Sequence, residues 1–160
     1  MNRVYLALGS NLNNPFKQVN MALDALSKIN NSNIIKVSNF YRTFPLGSLN
    51  QKNYLNAAVA IDSNLQPETF LNKINQIELK QGRIRTIERW ISRTIDIDIM
   101  LYGNLKINTN NLVIPHYAME KRAFMLVPLL EIAPQVILPD GTFLRKILQT
   151  LDTSKISLWS

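Results

Sequence analysis

The run Arg93-Thr94-Ile95-Asp96-Ile97-Asp98-Ile99-Met100-Leu101 constrains this chain more than any other stretch. Strand side chains alternate between faces, so Ile95, Ile97 and Ile99 point into a core while Asp96 and Asp98 share the opposite face. Aspartate is a poor strand residue, and two like charges about 7 Å apart repel unless a cation sits between them. The run therefore demands a sheet with one apolar face and, on the other, either water or a cation. An antiparallel sheet with a wet face meets the first demand. Mg²⁺ meets the second, because it takes oxygen ligands, commonly one or two carboxylates with water and substrate phosphates filling the remaining positions.

Lys80, Arg83, Arg85, Arg89 and Arg93 come just before the acids, with Gly82 and Trp90 among them and little apolar periodicity. Guanidiniums grip phosphate oxygens in bidentate fashion, which a scattered lysine face does less well. An acid pair beside an arginine segment reads as a polyphosphate site. An isolated basic run would serve equally to bind nucleic acid backbone or to keep the chain in solution, but the adjacent acids weigh against nucleic acid as the sole ligand.

Composition permits this reading without requiring it. The 160 residues suit one domain with a real core. The net charge of +7, from 18 Lys and Arg against 11 Asp and Glu, favours an anionic ligand. Without cysteine, disulfides and thiolate metal sites are excluded. The apolar run before Gly9-Ser10-Asn11 is too brief for a secretion signal, and no stretch approaches the roughly 20 apolar residues of a membrane span. The expectation is a cytoplasmic protein.

Val4 to Leu8 reads as a strand ended by Gly9-Ser10-Asn11, and Asn14-Pro15 starts a helix to about Ile29 on the spacing of Val19, Leu23, Leu26 and Ile29. Ile34 to Arg42 reads as a second strand with Ile35 and Val37 turned inward, and Tyr54 to Ile61 as a third. Pro67 opens a second helix with the stripe Phe70, Ile74 and Ile77, ended at Gly82; Thr94 to Leu101 is the fourth strand. This β-α-β-β-α-β order predicts an α+β, ferredoxin-like fold, an antiparallel sheet with both helices on one face and the acids on the opposite, uncovered face. The last third predicts an appendage: a hairpin with arms Leu105–Ile107 and Leu112–Ile114, short helical pieces at Met119–Lys121 and Met125–Ile132, and a last helix carrying Leu144, Ile147 and Leu148.

His116 is the only histidine, and Lys121, Arg122 and Phe124 follow it closely. Cationic and aromatic groups at such spacing can hold a phosphate tail and a planar ring, although Phe124 also suits core packing and a lone histidine is usually structural. No Ser-His-acid or Cys-His grouping supports nucleophilic catalysis. The phosphate-binding loop G-x-x-x-x-G-K-[ST] and the dinucleotide fingerprint G-x-G-x-x-G are both missing, which leaves metals and arginines to hold any nucleotide.

Leu8-Gly9-Ser10-Asn11-Leu12, Phe40-Tyr41-Arg42-Thr43 with Pro45-Leu46-Gly47, Asn53-Tyr54-Leu55-Asn56-Ala57-Ala58, Ile77-Glu78-Leu79 with Gly82-Arg83, Arg93 with Asp96-Ile97-Asp98-Ile99, and Pro115-His116-Tyr117 with Arg122 and Phe124 together resemble the hydroxymethyl-dihydropterin pyrophosphokinases of folate biosynthesis. The resemblance runs from about residue 4 to 148. Each motif alone is modest, and the set in this order is highly specific. It implies one pyrophosphokinase domain over residues 1–160 that transfers diphosphate from ATP to the hydroxymethyl group of a reduced pterin and releases AMP. It further implies two Mg²⁺ ions on Asp96 and Asp98, phosphate-binding Arg83 and Arg93, and a mobile loop carrying Arg85 and Trp90. Pterin contacts map by resemblance to Thr43, Pro45, Leu46, Tyr54, Asn56 and Phe124, and nucleotide contacts to Glu78, Ile99, His116, Tyr117 and Arg122. The implied partners are ATP and reduced pterin, with neither nucleic acid nor membrane, and the implied state is a monomer. Two positions depart from the family pattern: Ile91-Ser92 stands where Gly-Pro is usual, and Phe44 where proline is common.

Two other classes compete. A ferredoxin-like nucleic-acid reader would stack bases on sheet-face aromatics, whereas the fourth strand offers acids there. A nucleotidyltransferase also pairs Gly-Ser with a D-x-D strand, but as near neighbours, and Ser10 is remote from Asp96 in sequence.

Overall fold

The computed structural model describes residues 1–43, 53–82 and 94–159. β1 (Asn2–Ser10) buries Val4, Leu6 and Leu8 on alternate positions and continues through Gly9 to Ser10 instead of stopping at Leu8. α1 (Pro15–Ser27) begins where the side chain of Asn14 accepts the Lys17 N–H at 3.3 Å, with Pro15 supplying the preset φ of a first helical residue. α2 (Pro67–Lys80) also opens on proline, and Gly82 just beyond its end takes a φ of 83°, a conformation open to glycine at little cost.

All strand pairings are antiparallel. β1 lies at the middle, between β4 (Tyr54–Ser63) and β5 (Asp96–Tyr102). β4 in turn pairs with β2 (Ser32–Val37) and β3 (Tyr41–Thr43), and β3 with a two-residue β8 (Ser157–Leu158). A separate pair, β6 (Ile107–Asn108) with β7 (Val113–Ile114), forms the expected hairpin in shorter form.

The single strand expected over Ile34–Arg42 is two strands. Ser38 interrupts it: its N–H donates to the Ala58 carbonyl at 2.9 Å, and its Oγ accepts the Ala58 N–H at 2.9 Å. A register shift between Ile34 and Lys36 turns Ile34 inward and leaves Ile35 and Val37 45% and 38% exposed, the reverse of the expected facing.

One apolar cluster lies between the sheet and α1 and α2: Val19, Ala22 and Leu26 meet Phe70, Ile74 and Ile77 over Leu6, Leu8, Val59, Ile97 and Ile99. A second lies on the other face. There α3 (Ala123–Ile132) and α4 (Leu144–Leu148) place Met125, Leu126, Leu129 and Leu144 against Ala58, Ala60, Met100 and Leu101. Two alanines on β4 leave room for a helix to lie close, so β4 is buried on both faces. The face opposite α1 and α2 is therefore not uncovered, as the pattern predicts; α3 closes much of it and leaves the end where β5 begins.

Candidate active site

Register fixes which side chains meet at that end. Gly9 pairs with Asn56 on one side and Asp96 on the other, Ala7 pairs with Ala58 and Asp98, Thr43 with Tyr54, and Tyr41 with Asn56. Directly opposed residues share a face, so Thr43, Tyr54, Asn56, Asp96 and Asp98 stand on one surface whose floor is Gly9 and Ala7. Strands lie about 4.8 Å apart, which puts the Asn56 and Asp96 backbones roughly 10 Å from each other across a residue with no side chain. A Cβ at Gly9 would come within 3.2 Å of Asn56 Oδ1. Asn56 is itself buried and held by its Nδ2 donating to Thr43 Oγ1 at 2.6 Å.

Asp96 and Asp98 are both partly exposed, as the alternation predicts, while Ile97 and Ile99 are buried behind them. The start of the strand is tied down by Ser10, whose Oγ donates to the Thr94 carbonyl. His116 leans in from the segment after β7. Its backbone N–H donates to the Met100 carbonyl at 3.0 Å, and its ring Nδ1 accepts the Ala118 N–H at 3.1 Å, which leaves the proton of the neutral ring on Nε2. That Nε2 is 3.9 Å from Asp98 Oδ2, close but beyond hydrogen-bond range. Burial first and then the Arg122 guanidinium push His116 down to about 4, against a smaller opposing pull from Asp96.

A carboxylate pair with small residues beside it is a donor set for a hard cation that keeps most of its shell for water or phosphate. The Asp96/Asp98 pair therefore fits Mg²⁺.

Beside the acids lies an aromatic and cationic group. Tyr117, exposed, stacks on His116 with centroids 4.7 Å apart and planes 22° from parallel. The Arg122 guanidinium lies 5.7 Å from the Tyr117 ring and 5.9 Å from the Phe124 ring. Phe124, at the start of α3, packs partly against the second cluster.

A family profile for 7,8-dihydro-6-hydroxymethylpterin-pyrophosphokinase matches residues 5–134. The chain belongs to this family. It is 42% identical over 152 residues to the 2-amino-4-hydroxy-6-hydroxymethyldihydropteridine pyrophosphokinase of Haemophilus influenzae, covering 95% of this chain and 94% of that one. It is 44% identical over 146 residues to the Pseudomonas aeruginosa protein of the same name, covering 91% and 90%. Among solved structures, the Plasmodium falciparum HPPK-DHPS with pteroate superposes with a TM-score of 0.72 at 14% identity, over 93% of this chain and 42% of that chain. This chain thus spans under half of that longer protein, and the likeness is one of fold.

Set against the family's expected contacts, the structure gathers Thr43, Tyr54, Asn56, Asp96 and Asp98 on one face, with His116, Tyr117, Arg122 and Phe124 grouped at its margin. Two residues sit elsewhere. Ile99 is buried in the first cluster, so its side chain lies away from the face of the acids. Glu78 is 2% exposed on α2, and its Oε2 accepts the Ile97 N–H at 2.9 Å. Arg83, Arg85, Arg89, Trp90, Arg93, Pro45 and Leu46 lie outside the described residues, as do Phe44 and Ile91-Ser92.

Sequence reasoning passes over three residues that shape the site. Gly9 reads as a strand end, yet it is the floor between Asn56 and Asp96; its signal was the glycine itself, closing an apolar run that the strand outlasts. Glu131 on α3 accepts from the Asn39 N–H at 2.9 Å and from the Tyr41 hydroxyl, clamping α3 to β3. The Trp159 backbone N–H donates to the Phe40 carbonyl at 2.8 Å and its ring lies under the Arg42 guanidinium at 4.1 Å, which adds β8 to the edge beside Thr43. Neither of the last two pairings carries any periodic signal.

Proposed function

We propose that this chain transfers the diphosphate of ATP to the hydroxymethyl oxygen of 6-hydroxymethyl-7,8-dihydropterin, yielding AMP and the pterin diphosphate for folate biosynthesis. One observation carries the reading: a carboxylate pair and an amide–hydroxyl pair stand on one sheet face, separated by Gly9. Family membership supplies the reaction. Residues 1–160 act as one pyrophosphokinase domain, with β5-β1-β4 flanked by β2 and β3 read as a ferredoxin-like core.

The pterin ring lies over the Thr43, Tyr54 and Asn56 side of the floor. The fixed Asn56 amide reads the polar ring edge, Phe124 supplies an apolar wall, and Pro45 and Leu46 complete the slot. ATP lies toward β5. His116, Tyr117 and Arg122 hold its base and ribose end, with Ile99 contributing main-chain groups, and Arg83, Arg85, Trp90 and Arg93 engage the phosphates. Mg²⁺ held by Asp96 and Asp98, two ions in this reading, would neutralise the phosphate oxygens and draw charge from the breaking bond. The pterin hydroxyl oxygen attacks the β-phosphorus, the bond from that phosphorus to the α,β-bridging oxygen breaks, the hydroxyl proton is lost to solvent, and AMP departs. Positioning does most of the work, since phosphoryl chemistry asks little covalent participation of the protein.

The protein acts as a monomer in the cytoplasm, with small molecules as its partners. Among the described residues no helix is long and apolar enough to cross a membrane. Acids in the middle of the exposed face oppose a nucleic acid strand lying there. Incubating the protein with ATP, Mg²⁺ and hydroxymethyl-dihydropterin, AMP accumulates; omission of the pterin suppresses it. AMP formation that does not depend on the pterin would rule out this reading.

A further inference from the structure

β3 is a short strand, Tyr41–Thr43, and it ends on the residue whose Oγ1 receives the Asn56 amide. So brief a ladder with β4 gives it few hydrogen bonds of its own. Its outer edge is filled by β8, with Leu158 opposite Tyr41 and Ser157 opposite Arg42. Both β8 side chains are exposed, so this pairing buries little apolar surface by itself. What anchors it is the next residue. The Trp159 ring packs against the first apolar cluster and lies 4.1 Å from the Arg42 guanidinium, while its backbone N–H holds the Phe40 carbonyl at 2.8 Å. Alternation puts Phe40 and Arg42 on the α1 side of the sheet, and Tyr41 and Thr43 on the face of the site. On that face Glu131 of α3 accepts from the Tyr41 hydroxyl and the Asn39 N–H. β3 is thus gripped from the front by α3, along its edge by β8 and from behind by an indole ring. Shielding an edge needs only a short or charged strand, so the ring exceeds what edge protection requires.

We propose that Trp159 is a positioning residue for the pterin, acting through β8 and β3 on the Thr43–Asn56 pair. The inference rests on the reading of that pair as the pterin side of the face. β3 and β5 are three strand spacings apart, about 14 Å, so loosening β3 leaves the acids in place. A group displaced by about 1 Å through a distant change can cost as much as about 100-fold, and here that cost falls on one substrate.

The test compares wild type with Trp159→Ala, Trp159→Phe and Asn56→Ala in the full chain. Steady-state kinetics are measured at varied pterin and at varied ATP, together with amide exchange over Tyr41–Thr43. Trp159→Ala should speed that exchange and raise the KM for the pterin about 10-fold, with the KM for ATP within about threefold of wild type. Trp159→Phe, which keeps an apolar ring against the cluster, should bring the pterin KM back to within about threefold. An unchanged pterin KM in Trp159→Ala would overturn the proposal, as would an equal rise in both KM values, the mark of a fold loosened throughout. So would Trp159→Phe behaving like Trp159→Ala. If Trp159→Ala does not fold, Trp159→Leu decides by the same two constants: a rise confined to the pterin KM supports the proposal, and any other pattern overturns it. Failure of the underlying pterin placement looks different, because Asn56→Ala would then leave the pterin KM unchanged as well.

Discussion

Asn56 donates its Nδ2 to Thr43 Oγ1 at 2.6 Å, and both side chains are buried. The bond fixes an amide beside a glycine floor, and in the proposed reaction these two small features read the pterin. Asn56→Ala should lower kcat/KM for the pterin by about 10- to 100-fold, the cost of one to two lost polar contacts to a buried ligand edge. Gly9→Ala should act in the same direction more weakly, since its methyl would press on Asn56 Oδ1 from 3.2 Å. Steady-state kinetics at varied pterin checks both, and an unchanged pterin KM in both variants would place the ring elsewhere.

The stacked His116–Tyr117 pair beside Asp98 predicts a different split. His116→Ala removes a ring and the Nε2 donor from the side proposed for ATP while leaving Asn56 and Thr43 untouched. The KM for ATP should rise about 10-fold, consistent with loss of one hydrogen bond and a stacking surface, with the pterin KM near wild type. Equilibrium binding of a non-hydrolysable ATP analogue measures this directly.

Tyr41 predicts an alkaline limit to stability. Burial and the hydrogen bond to Glu131 hold its hydroxyl up to about 12, against 10.0 unperturbed. Because the folded value is the higher one, the stabilisation is fully present below pH 10 and is lost as pH rises through 12. Tyr41 is only partly buried, so the loss is on the order of 1–2 kcal/mol. Wild type should lose that much more stability than Tyr41→Phe between pH 9 and 12 in denaturant titrations; parallel curves would show that the hydroxyl is not held.

α3 predicts a stability cost on the face that sequence pattern leaves open. Leu129→Ala removes a fully buried side chain from the second cluster and should cost about 2–5 kcal/mol. Thermal or denaturant unfolding reads the change, and a loss below about 1 kcal/mol would mean that α3 packs loosely.

These cases show which parts of the molecule sequence could announce. Asp96 and Asp98 were legible because alternation with Ile95, Ile97 and Ile99 fixes their facing without reference to anything distant. The helices α1 and α2 were legible from apolar spacing, proline starts and Gly82. The break at Ser38 was not, because it depends on bonds to Ala58, and the shift at Ile35 reverses a facing that local pattern assigns correctly for an unbroken strand. The covering of the second face was hidden for a related reason: Ala58 and Ala60 declare small volume but not which helix will use it. Glu78 shows another limit, since the hydrogen bond its side chain accepts from the Ile97 N–H leaves no periodic trace in the sequence.

In the proposed reaction the acid pair and the Asn56 side of one sheet face cooperate in transferring diphosphate. Phosphorus NMR of the products of ATP and hydroxymethyl-dihydropterin tests it most directly, run with wild type and with Asp96→Ala/Asp98→Ala. Wild type should give AMP and pterin diphosphate in equal amounts and no ADP, and the double variant should lose at least about 1,000-fold in rate, as expected when phosphate charge is left uncompensated. ADP with a pterin monophosphate, or equal rates from the two proteins, would contradict it.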